Sequence, residues 1–74
     1  MVNIILNTVS KFSDRKVTEI GLESSFNSLG FDDHRFVELV MELEDMLGFS
    51  ANMDIYGSET IAELVNLIKI ECEL

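Results

Sequence analysis

Asp32, Asp33 and His34 stand in a row, and carboxylates beside an imidazole are the groups that hold a divalent metal or move protons. Consecutive residues at a helix start, however, project about 100° apart and converge poorly on one ion. His34 is the only histidine of the chain, so no second imidazole completes the set. A metal-dependent enzyme using Asp32/Asp33/His34 is therefore a remote alternative; no catalytic residue and no metal site is expected. The single cysteine, Cys72, cannot close an internal disulfide and has no Cys/His cluster around it. It reads as an ordinary residue of a terminal helix. What two adjacent aspartates do well is open a helix: one caps the free N–H groups, and both suit the positive end of the macrodipole.

The elements around these residues follow from length and patterning. Seventy-four residues, 47% of them hydrophobic, suit one small core and one domain spanning 1–74. No proline, four glycines and apolar residues at helical spacing argue for an all-α fold, a small three-to-four-helix bundle. The first helix is expected from about Val2 to Phe12, burying Ile5, Leu6, Val9 and Phe12. A long connection from Ser13 to Phe31 should fold back through Val17, Ile20, Leu22, Phe26, Leu29 and Phe31, with turns at Gly21 and Gly30. The second helix starts at Asp32 or Asp33, runs to Leu47 and stops at Gly48. Its core stripe is Phe36, Leu39, Val40, Leu43, Met46 and Leu47. One helical turn is expected around Asn52 to Tyr56. The last helix opens at Thr60, with Glu63 in capping-box position, and runs to about Glu71 behind Ile61, Leu64, Val65, Leu67 and Ile68.

The second helix carries a second apolar strip. Asp33, Val37, Met41 and Glu44 follow one side of it, and Glu38 and Asp45 flank them. Two apolar residues in an acidic rim suit protein docking: contact area gives affinity and charge gives register. The alternative is that Val37 and Met41 pack under the first loop and the acids are a solvated face.

Fourteen acidic residues against five basic ones give a net charge of −9. Such a field repels nucleic acid and anionic membrane and favours a basic partner surface. No run approaches a membrane span, and the first residues lack the charge pattern of a signal peptide, so the expected location is cytoplasmic. The domain alone is expected to be a monomer.

The stretch Ser25-Phe26-Asn27-Ser28-Leu29-Gly30-Phe31-Asp32-Asp33-His34-Arg35-Phe36-Val37-Glu38-Leu39-Val40-Met41-Glu42-Leu43-Glu44 resembles the acyl and peptidyl carrier proteins. Their pattern reads Phe, two or three residues, Leu-Gly, a spacer, Asp-Ser-Leu, then Val-Glu-Leu-Val and an acidic end. The helix order, the long first loop and the Thr-capped last helix extend the likeness from about Ile4 to Ile70. The short Phe26-to-Leu29 spacing is similar to that of the peptidyl carriers, and the acidic Val37-to-Asp45 stretch to that of the acyl carriers. The resemblance implies a carrier fold and partner contacts at His34, Val37, Glu38, Met41, Glu44 and Asp45.

It also implies 4′-phosphopantetheine on a serine at the start of the second helix. Asp33 stands at that position, and His34 replaces the following leucine. A carboxylate would give a mixed anhydride, labile in water, where the family forms a stable phosphodiester; Ser25 and Ser28 lie upstream of the Leu-Gly turn. No cofactor is therefore expected for this sequence. The expected function is a non-catalytic interaction module that binds a basic surface of a fatty-acid, polyketide or nonribosomal-peptide type enzyme (a synthase, ligase or transferase). The alternative is a functional acyl or aminoacyl carrier, loaded at another site or with its serine replaced in this chain.

Overall fold

In the computed structural model, residues 2–73 are described. They form α1 (Val2–Ser13), a 3-10 turn (Val17–Glu19), α2 (Asp33–Leu47), α3 (Met53–Tyr56) and α4 (Ile61–Glu73). This is the expected all-α bundle, with α1 one residue and α4 two residues longer than the sequence suggested. Met1 and Leu74, the two ends of the expected domain, lie outside the described residues.

Each helix that frames the exposed face of α2 is held by identifiable end groups. The Arg35 N–H donates to the Asp32 carboxylate at 2.7 Å, so Asp32 is the cap and Asp33 is the first helical residue. Replacing Asp32 with alanine is expected to cost about 1 kcal/mol, read as a lower thermal midpoint with α2 otherwise intact. At the far end Gly48 adopts φ 71°, and its N–H donates to the Glu44 carbonyl at 2.9 Å. That left-handed geometry is open to glycine and strained for most other residues. Gly30, at φ 86°, makes the turn just ahead of α2, whereas Gly21 keeps an ordinary backbone.

The long connection is stitched to the start of α4. Phe26 N–H donates to the Glu59 carbonyl, while Ile61 and Ala62 donate to the carbonyls of Ser24 and Leu22. Loop carbonyls thus satisfy N–H groups that the first turn of a helix leaves free. Thr60 Oγ1 accepts from Glu63 N–H at 3.2 Å, the first half of a capping box. The second half differs from expectation: the Glu63 carboxylate meets the Thr60 hydroxyl at 3.4 Å rather than the Thr60 backbone N–H.

Ile5 and Val9 of α1, Leu39, Val40 and Leu43 of α2, Ile55 of α3, and Ile61, Leu64 and Ile68 of α4 are fully buried. Ile20, Phe26, Leu29 and Phe31 close the core from the connection, with Phe26 in edge-on contact with Phe31. Three apolar residues depart from expectation. Val17 and Leu22 are exposed; at Leu22 the backbone carbonyl, not the side chain, meets α4. Met46 is 52% exposed, at the edge of the α1 contact, where its sulfur lies 3.7 Å from the Thr8 hydroxyl oxygen. Leu6, Phe12, Phe36, Leu47 and Leu67 pack against the core while keeping part of their surface in water.

The exposed face and N-terminal end of the second helix as candidate functional site

Five carboxylates and one guanidinium lie along α2, and its buried side takes nearly all of its apolar residues. Besides Met46 at its α1 edge, Val37 and Met41 are the exceptions. They are 39% and 57% exposed, so they do not pack under the first loop. The exposed face is therefore an apolar pair within an acidic rim, and a rigid helix spaces it.

The rim residues are not equivalent. His34 Nε2 lies 2.6 Å from Glu38 Oε1, a pair one turn apart and well exposed on both sides. Exposed pairs of this kind contribute well under 1 kcal/mol, so both groups remain free for a partner. Asp45 is exposed. Glu44 is half-buried, and one of its carboxylate oxygens accepts from Ala51 N–H at 2.7 Å. It holds the loop after α2, a role that its place in the strip did not announce. Glu42 turns toward α1, 4.0 Å from Lys11 Nζ.

Arg35 also turns toward α1. Its guanidinium donates to the Phe12 carbonyl at 2.7 Å, satisfying one of the acceptors left free at that helix end. The metal-type reading of Asp32, Asp33 and His34 is not assembled by this geometry. Asp32 faces its own helix as a cap, and His34 is turned along α2 onto Glu38. Among the described residues, no three His, Cys, Asp or Glu side chains are grouped to hold a metal ion. Cys72 is exposed on α4.

Asp33 is exposed at the first position of α2. From Phe31 to Phe49 the chain has no serine, threonine or tyrosine. The hydroxyl groups nearest in sequence upstream are engaged in a local turn: Ser25 Oγ accepts from Ser28 N–H, and Ser28 Oγ donates to the Ser25 carbonyl. Beside Asp33 an open cleft of about 530 Å³ runs between the Ser25–Asn27 segment, the start of α2 and residues 56–59. The sequence did not reveal it, because its walls come from segments about thirty residues apart.

The family model for the phosphopantetheine attachment site matches residues 3–68. The chain belongs to the phosphopantetheine attachment family. The match runs from α1 through most of α4 and includes the whole exposed face of α2. It agrees with the resemblance to acyl and peptidyl carriers drawn from the residues themselves. Carrier domains of this family interact with biosynthetic enzymes, and α2 of this member offers an exposed face. No curated protein matches the chain significantly. Among the described residues, no helix is long and apolar enough to cross a membrane.

Proposed function

We propose that this carrier-family domain carries no phosphopantetheine and serves as a non-catalytic docking partner for a biosynthetic enzyme of the fatty-acid, polyketide or nonribosomal-peptide type. The observation that carries the reading is the start of α2. Attachment needs an alcohol oxygen there, and the exposed residue at that point is Asp33. Its carboxylate fits the arm poorly, since the acyl phosphate formed would hydrolyse. The residues of α2 offer no other hydroxyl.

The docking surface in this reading is His34, Val37, Glu38, Met41 and Asp45, with Glu44 at its edge bracing the following loop. A partner with a basic rim around an apolar depression would match it. Asp33 adds a fixed negative charge at the helix end, where the phosphodiester of a loaded carrier would carry one. That charge would let the domain engage a partner without an arm. If the charge matters, Asp33→Asn and Asp33→Ala are expected to weaken partner binding alike, several-fold, in a titration against the enzyme. If Asp33→Asn binds as well as the unmodified chain, the charge has no part in docking. The reading as a whole is tested by whether a phosphopantetheinyl transferase loads the chain.

A further inference from the structure

The few cations of this acidic chain are gathered in one place. Four of the five basic residues, Lys11, Arg15, Lys16 and Arg35, lie at or just beyond the end of α1 or reach it from α2. All four are exposed. Fourteen acids are available to pair with them, yet Lys11 with Glu42, at 4.0 Å, is the one ion pair that any of the four makes among the described residues. Arg35 instead donates to the Phe12 carbonyl, which fixes the side chain and uses one of its five N–H groups. Lys11 Nζ lies 5.9 Å from the centre of the Phe12 ring. Between these groups is an open hollow of about 230 Å³, lined by Lys11, Phe12, Arg35 and Glu38. Past the end of α1, Asp14 takes a left-handed turn at φ 59°, and the Ser10 hydroxyl donates to the Arg15 carbonyl. The chain therefore folds back against α1, and Arg15 and Lys16 stay at this corner.

From this we infer that the corner at the end of α1 receives a short acidic segment of a partner protein. The guanidinium of Arg35, already oriented, offers its remaining N–H groups to a carboxylate. Lys11, Arg15 and Lys16 add point charges, and half-buried Phe12 gives the hollow an apolar wall. Acids bound the patch: Glu38 at the hollow, Glu42 beside Lys11 and Asp14 next to Arg15 in the chain. A nucleic acid or an anionic membrane would run past it onto a surface where Lys69 is the only other basic residue. A segment with a few carboxylates ends before that repulsion sets in. Complementary charge of this kind fixes the orientation of a partner more than it adds affinity. The site lies on the α1 side of α2 and depends neither on Asp33 nor on the Val37 and Met41 strip.

The test is a titration of the intact ¹⁵N-labelled chain at low salt with acetyl-tetraglutamate amide, followed by amide shifts, with acetyl-tetraglutamine amide and inorganic phosphate run separately. Tetraglutamate is expected to give saturable shifts concentrated at residues 10–16 and 35–38, and tetraglutamine none. Arg15→Gln combined with Lys16→Gln, both at exposed positions, is expected to weaken binding about fivefold with the melting temperature unchanged. Lys69→Gln, which removes a cation from α4, is expected to leave binding as it was. Shifts that fail to saturate, that survive the Arg15 and Lys16 changes, or that weaken equally with Lys69→Gln would overturn the inference, since net charge alone would then govern them. Tighter binding of phosphate at the same amides would also overturn it and assign the corner to a phosphate ligand. Val37→Ala with Met41→Ala is expected to leave tetraglutamate binding unchanged, so a docking strip without function is read separately from a corner without function.

Discussion

Leu39→Ala is expected to remove about 3 kcal/mol of stability, the usual cost of emptying a fully enclosed leucine site. Leu39 has no exposed surface and belongs to the same buried cluster as Ile5, Val9, Val40 and Leu43. A chain of 74 residues has on the order of 4–11 kcal/mol to lose, so this single change leaves a marginal fold. In urea the midpoint should fall by roughly 2–3 M, given a slope near 1 kcal/mol per molar for a domain this small. Met46→Ala is the informative comparison. Helical spacing puts Met46 in the same stripe, but its side chain is 52% exposed. Its loss is expected to cost about 1 kcal/mol or less. Equal costs at the two positions would mean that Met46 belongs to the core after all.

The second large effect concerns recognition. In an Asp33→Ser background, a promiscuous phosphopantetheinyl transferase serves as a reporter partner. Val37→Asp combined with Met41→Asp is expected to lower kcat/KM for loading at least about tenfold, or about 1.4 kcal/mol of lost transition-state binding. Exposed sites tolerate such changes, so the melting temperature should move little. The comparison that decides the cause is Glu42→Gln. Glu42 faces Lys11 on the α1 side, and its loss should alter loading far less. If Glu42→Gln slows loading as much as the apolar pair does, general charge governs the encounter, and the strip has no special part.

How much of this was legible in the sequence depends on the range of each signal. The buried stripe of α2, its aspartate start and its glycine stop are local patterns, and they read correctly from Phe36 to Leu43 and at Gly48. Met46 failed because periodicity assigns a direction but not the width of the neighbouring helix: α1 reaches it with Thr8 rather than with an apolar residue. Thr8 itself is buried, its hydroxyl donating to the Ile4 carbonyl, a polar residue that hides inside a helix by bonding to its own backbone.

The site divides in the same way. The exposed pair Val37 and Met41 could be read as one face of a helix, but its exposure depends on where the loops run. Glu44 shares that face and is spent on Ala51, seven residues later. The cleft was invisible, since it exists only where the Ser25–Thr60 bridge brings two distant segments together.

The most direct test of the central claim is the intact mass of the chain after incubation with coenzyme A and a promiscuous phosphopantetheinyl transferase, with Asp33→Ser treated in parallel. The account predicts that the unmodified chain keeps its mass while Asp33→Ser gains that of one arm: a scaffold still read as a carrier, without the oxygen that takes the group. A gain on the unmodified chain would contradict it, and the domain would then be a working carrier loaded at another residue.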